Sequence, residues 1–273
     1  MSERDAVDAT PEPRTRAGLA ADLRSLGLPK GSVVLVHASL RTLGWVAGGA
    51  QATVLALRDV LGPSGTLVVP THSAQLTEPA TWRAPPVPAA WHAAIREALP
   101  AFDARTTPTR GMGAVAELVR TAPGARRSPH PYASFAALGP LACRITRTQP
   151  LEDPYGEESP LACLHQLGAW VLLLGVGFGR CTALHLAERR AWPDRPPDEE
   201  GAPLLVAGER RWVRHRVPPR DTEPFPAVGR HLTDLGLVRR GAVGSSTALL
   251  LSLAPAVDAA VALWRASGKA GRS

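Results

Sequence analysis

Three stretches of the chain are apolar without interruption and rich in β-branched residues or leucine: SVVLVHAS (32–39), TLVVPTHS (66–73) and AWVLLLGVGFG (169–179). Runs of this length, bounded by Gly and Pro, predict strands buried on both faces. Between the first two lies a stretch of helical period, 50–61, entered through a glycine-rich turn and left through GPSG (62–65). The order strand, loop, helix, strand predicts a parallel sheet inside a three-layer α/β arrangement. Helical periodicity also predicts helices over 16–26, near 91–99, over 111–120, 161–168 and 182–192, and near 227–235 and 255–267. Pro160 is suited to a first helical position. Residues 128–139 read as loop and then strand, ended by Gly139-Pro140. A hairpin is expected where APLLVAG turns through GER into WVRHRV. The stretch 239–253 reads as a turn followed by strand or helix.

The intervals between these elements change the picture. Residues 1–15 are polar and contain Pro, and are expected to form a disordered tail before a single domain over 16–267. Residues 74–110, rich in Pro, Trp and Thr, form a long excursion of the kind that is usually functional. With no internal repeat and no low-complexity linker, the fold class expected is α/β: a three-layer α/β/α sandwich around a mostly parallel sheet, with an inserted or appended smaller subregion.

Composition narrows the function. Of 273 residues 45% are hydrophobic and 20% charged, an ordinary globular balance. No apolar run reaches the length of a membrane span, and the N-terminal stretch lacks the apolar segment of a secretory signal. The three cysteines, Cys143, Cys163 and Cys181, form no CxxC pair and no metal-ligand spacing. A reducing, cytoplasmic compartment is therefore expected, with no structural metal. Net charge is +7, and only Lys30 and Lys269 are lysines, so the surplus is arginine. The arginines are scattered and lack aromatic interleaving, which argues against nucleic acid. A local phosphate site remains open.

Candidate chemistry gathers where strands end. At the junction 175–188, strand gives way to glycines and then helix. Its GVGFGR run departs from the dinucleotide fingerprint because Arg180 stands at the third glycine position. On the following helix Thr182, His185 and Glu188 are spaced i, i+3, i+6, about 60° apart in pairs, and can face one cleft. A carboxylate beside an imidazole fixes its tautomer, which makes His185 a candidate general base. The plainer alternative is a structural histidine, with Glu188 paired to a neighbouring arginine. The end of the first strand, with His37, Ser39, Leu40, Arg41, Thr42, Leu43 and Gly44, offers backbone N–H groups and hydroxyls for phosphate. Arg110, Gly111, Met112 and Gly113 precede a helix start, a second anion site. Thr71, His72 and Ser73 end the second strand on the same rim. Carboxylates concentrate in the loop Glu152, Asp153, Glu157, Glu158 and recur at Asp221 and Glu223. No GxSxG elbow, HExxH or P-loop is present.

Seven stretches occur together and in order: VHASLRTLG (36–44), GPSGTLVVPTHS (62–73), TPTRGMGAVAELVR (107–120), RSPHPYASFAALGP (127–140), PYGEESPLACL (154–164), LLLGVGFGRCTALHLAERRA (172–191) and GLVRRGAVG (236–244). In these the chain resembles the aminoglycoside 3-N-acetyltransferase family, over most of residues 16–264. The resemblance implies acetyl-CoA as co-substrate and transfer of its acetyl group to the 3-amino group of the deoxystreptamine ring. It implies His185 as base, supported by Thr182 and Glu188. It places His37, Ser39, Leu40, Arg41, Thr42, Leu43, Gly44, Thr71, Ser73, Arg110, Gly111, Met112, Gly113, Val115, Ser134 and Phe135 along the CoA. His130 would lie near the site with its role open. Asp153, Glu157, Glu158, Asp221 and Glu223 suit a polycationic amine. Direct transfer is expected, with Cys181 as the challenger because thiols form acyl intermediates readily. Expected partners are a small-molecule aminoglycoside or related amine, with no nucleic acid and no membrane, acting on a monomer or homodimer. The sequence departs from the family's common Asp-Ser-Asn-like run at Gly179-Arg180-Cys181. Two alternatives stay open: an acyl-CoA-dependent transferase for another amine of natural-product metabolism, and a non-catalytic CoA-binding protein.

Overall fold

A computed structural model describes residues 3–268. Along the chain come helices α1 (Glu3–Asp8) and α2 (Arg16–Ser25), strand β1 (Val33–Ala38), α3 (Gly49–Leu61), β2 (Thr66–Pro70), α4 (His92–Ala98), α5 (Ala114–Thr121), β3 (Arg126–Arg127) and β4 (Phe135–Leu138). Then follow α6 (Ala142–Thr146), α7 (Pro160–Gln166), β5 (Trp170–Leu174), α8 (Leu184–Ala191), β6 (Asp198–Val206), β7 (Glu209–Val217), α9 (Phe225–Asp234), β8 (Val238–Val243), β9 (Ser246–Ser252) and α10 (Leu253–Ala266).

Seven strands form one sheet in the order β3-β4-β2-β1-β5-β9-β8. Its centre is parallel, with β1 paired to β2 on one side and to β5 on the other. The flanks are antiparallel, β4 against β2 and β9 against β5. Parallel pairing is thus confined to the three buried central strands, narrower than a mostly parallel sheet. The stretch left open between strand and helix, 239–253, is largely the β8–β9 hairpin, with only its last residue, Leu253, starting α10. Its leucine run carries no periodicity of its own to separate the two forms.

Because successive strand residues face opposite ways, β1 contributes to two cores. Val33 and Leu35 pack with Val171, Leu173, Leu161, Leu184 and Val257, beneath α7, α8 and α10. Val34 and Val36 pack with Leu172, Leu67, Leu19, Leu57 and Val119, beneath α2, α3 and α5. These are the three layers. Local signals set the helix starts: the Thr15 hydroxyl accepts the Gly18 N–H at 3.1 Å before α2. Ser159 caps α7 with Pro160 at its first position.

The smaller subregion has two parts. Strands β6 and β7 pair only with each other, joined at Ala207 and Gly208 with φ of 52° and 82°. Positive φ at both positions is the twist-compatible two-residue hairpin turn. The excursion 74–110, which carries α4, packs against this hairpin. Phe102 N–H donates to the Pro203 carbonyl (2.9 Å) and Arg210 to the Leu99 carbonyl (3.0 Å). Ahead of Arg16, where a disordered tail is expected, α1 is followed by Thr10, whose hydroxyl accepts the Trp45 N–H (2.9 Å), and by a bridge from Arg14 to Val46. Residues 1 and 2 of that segment lie outside the described residues. No described helix is long and apolar enough to cross a membrane.

Candidate active site

The chain leaves β1 toward β2 on one side and later returns to β5 on the other. The carboxyl end of β1 is therefore the point where connections diverge, the usual place for a ligand in such sheets. A cleft of about 810 Å³ opens there. Its lining includes His37, Ser39, Leu40, Arg41 and Thr42 after β1, Gly111, Met112, Gly113 and Val115 at the start of α5, and Thr182 and His185 from the β5–α8 junction. Residues far apart in sequence, related there only by motif, thus share one wall. Arg41 and Arg180 are the charged lining residues, and no carboxylate is among them. Gly175, at φ 68°, ends β5; a Cβ there would run into the Thr42 hydroxyl, so the close approach of the two strand-end loops requires glycine.

His185 is buried and its Nδ1 lies 2.9 Å from Glu188 Oε2. The other carboxylate oxygen of Glu188, Oε1, accepts from Arg195 (2.7 Å) and from the Asp221 N–H (3.1 Å). A carboxylate held by two further donors accepts only, so Nδ1 carries the proton and Nε2 is left to take one. The imidazole is fixed against Tyr155, stacked at 4.7 Å, with Phe225 on edge at 4.9 Å. The Tyr155 hydroxyl lies 3.5 Å from His72 Nε2. The i, i+3 spacing brings Glu188 to His185, Thr182 stands in the turn ahead of α8 and lines the same cleft, and Tyr155, Phe225 and Arg195 come from elsewhere. Tyr155 had only its place in the PYGEESP stretch to mark it; Arg195 had nothing.

Other expected site residues stand behind the wall. Leu43, Thr71, Ser73, Ser134 and Phe135 are wholly buried. The half-buried Arg127 guanidinium, marked in sequence only by its place at the head of the RSPHPYASFAALGP stretch, organises this layer. It donates to the Ser134 and Ser73 hydroxyls (both 2.9 Å) and to the Thr71 and Thr107 carbonyls (both 2.6 Å). Phe135 sits edge-on to His72. Gly44, at φ 85°, turns the chain toward Ser245 outside the cleft. Arg110 anchors the α5 approach through its N–H to the His72 carbonyl (2.9 Å), its guanidinium lying over the Trp82 ring rather than in the cleft.

The acidic residues divide. Asp153 is paired with Arg189 (3.0 Å) and Glu157 with Arg190 (2.7 Å). Both partners stand on α8, so these carboxylates are engaged in fixing that helix and are not a free cluster. Glu158 is exposed. Asp221 and Glu223 flank Thr222, which lines the cleft, and Asp221 Oδ1 accepts the Glu223 N–H (2.9 Å). His130 also serves the local structure. Its Nδ1 accepts the Tyr132 and Ala133 N–H groups (3.3 and 3.1 Å), so Nε2–H donates to the Leu151 carbonyl (3.3 Å). Cys181 is buried, and burial pushes its thiol up to about 12. Among the described residues no group of three His, Cys, Asp or Glu side chains could hold a metal.

Burial lowers the imidazole of His37 to about 3, with the charge of His185 adding to the effect, and burial likewise holds His130 at about 3. Unfolded, both titrate near the ordinary 6.5. Below that pH the unfolded chain binds more protons, so stability is full above about 6.5 and is lost as pH falls toward about 3. Taking the protein from pH 7 to pH 5 is expected to cost about 2 kcal/mol for each of the two. A urea midpoint that stays constant between these pH values would contradict this.

An imidazole tethered to a carboxylate, facing a cleft at the ends of parallel strands, defines an α/β enzyme rather than a passive binding protein. The chain belongs to the aminoglycoside 3-N-acetyltransferase family, whose model matches residues 35–265. It is similar to the SPbeta prophage-derived aminoglycoside N(3')-acetyltransferase-like protein YokD of Bacillus subtilis, at 44% identity over 92% of this chain and 93% of that one. The crystal structure of YokD superposes with a TM-score of 0.94 at 41% identity, over 97% of this chain and 99% of that one. Aminoglycoside N(3)-acetyltransferase VII of Streptomyces paromomycinus is 38% identical over 96% of this chain and 95% of its own. The solved AAC-IIIb binary with CoASH has a TM-score of 0.84 at 31% identity, covering 96% of this chain and 100% of that one.

Proposed function

We propose that this protein transfers the acetyl group of acetyl-CoA directly to the 3-amino group of an aminoglycoside, in the cytoplasm, with His185 as general base. The observation that carries this reading is the 2.9 Å contact of His185 with Glu188 in a cleft whose charged lining is Arg41 and Arg180. Cationic lining and the N–H-rich start of α5 suit the phosphates of CoA. The structural neighbour solved with CoASH favours the same co-substrate. An aminoglycoside amine is an ammonium at neutral pH and must lose a proton before it attacks the thioester. His185 Nε2 takes that proton, and Glu188 stabilises the imidazolium formed. The Thr182 hydroxyl lines the cleft beside it and can donate to the substrates. His185 passes that first proton to solvent; as the amine nitrogen bonds to the carbonyl carbon, His185 takes the second N–H proton and delivers it to the departing thiolate when the carbon–sulfur bond breaks. Cys181, a buried neutral thiol, is a poor nucleophile, which favours direct transfer. Asp221 and Glu223, which flank the cleft-lining Thr222, are the carboxylates that would meet a polycation at its edge.

Free-thiol release from acetyl-CoA over a panel of aminoglycosides tests the reading. Turnover is expected with acceptors carrying a 3-amino group, with no acetyl mass retained on the enzyme. Absence of turnover with every member of the panel removes the acceptor assignment, and an acetylated Cys181 removes direct transfer.

A further inference from the structure

The three groups that fix His185 are Glu188, Phe225 and Tyr155, and all three meet one short segment. Between the end of β7 at Val217 and the start of α9 at Phe225 runs PPRDTEP (218–224). Within it the Asp221 N–H donates to Glu188 Oε1 (3.1 Å) and Thr222 lines the cleft, and it leads into Phe225, edge-on to the imidazole at 4.9 Å. Pro218 and Pro219 fix φ on the approach from β7. Arg220 is where the segment grips the core. Its guanidinium lies over the ring of Tyr132 at 5.4 Å. That ring is buried, and its hydroxyl lies 2.7 Å from His215 Nε2 on β7. The guanidinium also acts on the Tyr155 hydroxyl by charge and by hydrogen bond, and Tyr155 is the ring stacked on His185 at 4.7 Å. Glu200, a carboxylate whose charge reaches Arg220, accepts instead from the Glu78 and Gly201 N–H groups (2.6 and 3.0 Å). We propose that Arg220 is a positioning residue for the base: laid on the Tyr132 ring, it fixes the segment so that the Asp221 N–H holds Glu188, and through Glu188 and Tyr155 it keeps the His185 imidazole at the angle from which Nε2 takes the proton.

The inference rests on the reading of His185 as general base and adds a residue that acts only through others. Glu188 Oε1 has two donors, Arg195 and the Asp221 N–H. With the Asp221 N–H displaced, one donor is left and the carboxylate can turn about its side-chain bonds. The Nδ1–H of His185 follows Oε2, so the imidazole turns with it and Nε2 leaves its line to the amine. Proton transfer needs that line, and a shift of about 1 Å far from the chemistry can cost about 10²-fold. A guanidinium suits the place because its plane can lie on one ring while an N–H on its edge meets a second group. Arg220 keeps a solvent-facing side, so shortening its reach leaves the two cores packed.

The test compares Arg220→Met with Arg220→Lys, which keeps a cation for the Tyr132 ring but loses the planar fork. For Arg220→Met, kcat is expected to fall about 10-fold or more, while the KM values for acetyl-CoA and the aminoglycoside and the affinity for CoA stay near wild type. Arg220→Lys should recover part of the loss. Retained CoA affinity also certifies that both variants are folded. Combined with Glu188→Gln, Arg220→Met should cost less than the product of the two single losses, because the two changes disturb one arrangement. A second readout needs no acceptor. The proton on His185 Nδ1, identified as the resonance missing from His185→Ala, should exchange slowly with water in wild type, faster in Arg220→Met and at an intermediate rate in Arg220→Lys. If wild type turns over no aminoglycoside yet the resonance responds in this way, the acceptor assignment fails and the role of Arg220 stands. A near-wild-type kcat in Arg220→Met, a loss confined to KM, losses that multiply with Glu188→Gln, or an unaltered exchange rate overturns the proposal.

Discussion

Replacing His185 with Ala should lower kcat by roughly 10²-fold or more while leaving the KM for acetyl-CoA nearly unchanged. Nothing in its surroundings suggests that CoA is held by the imidazole. Nδ1 is committed to Glu188 at 2.9 Å, the ring is covered by Tyr155 and Phe225, and Nε2 alone is left for chemistry. A residue used only as the proton leaves the amine contributes to the transition state and little to ground-state binding, so its loss appears in kcat. Glu188→Gln separates orientation from charge. The amide can still meet Nδ1, but it cannot stabilise the imidazolium, and it presents a dipole to Arg195 in place of an anion. A loss of about 10–100-fold is expected, smaller than for His185→Ala. Steady-state thiol release with a turned-over aminoglycoside decides both. A near-wild-type rate for His185→Ala takes the base role away from it.

The parts of this design that were legible in sequence are those that depend on neighbours in the chain. The three central strands were visible because burial on both faces demands unbroken apolar runs. His185 and Glu188 were legible because helical spacing alone brings them together, whereas Thr182 lies in the turn ahead of α8 and reaches the cleft from there. The acidic loop was misleading for the opposite reason. Asp153 and Glu157 look like an open cation site until α8 folds back to set Arg189 and Arg190 against them. Glycine-rich strand ends could be assigned to the cleft, but which of their residues line it depends on side-chain direction. Thr71, Ser73 and Ser134 are polar and near the rim, yet all three are buried and engaged by Arg127. Tyr155 reaches His185 from a loop well upstream in the chain, and no local pattern encodes that.

Arg127→Met should destabilise the protein by about 2–3 kcal/mol and lower Tm by about 5–10 °C. The methionine keeps much of the side-chain volume, including its packing near the Phe102 ring, over which the guanidinium lies at 5.0 Å. What it cannot replace is the set of donors. The Thr107 carbonyl and the Ser73 hydroxyl lose the guanidinium, and the Thr71 carbonyl keeps only the Ser134 hydroxyl at 3.0 Å. Burial lowers Arg127 only to about 10, so it is a cation at neutral pH and these are charge-assisted bonds, roughly twice as strong as neutral ones. Arg127→Lys restores charge but offers a point donor where a fork spans four acceptors, so it should recover only part of the loss. The effect should also reach function. The same guanidinium ties Thr107, at the base of the 107–113 turn, to the end of β2. Loosening it frees Gly111 and Met112 on the cleft wall, so the KM for acetyl-CoA should rise several-fold in Arg127→Lys while kcat changes less. Calorimetry and steady-state kinetics on the two variants check the pair of effects. A Tm within about 2 °C of wild type for Arg127→Met, which corresponds to less than about 1 kcal/mol, would mean that the buried acceptors find other donors and that the wall does not depend on this residue.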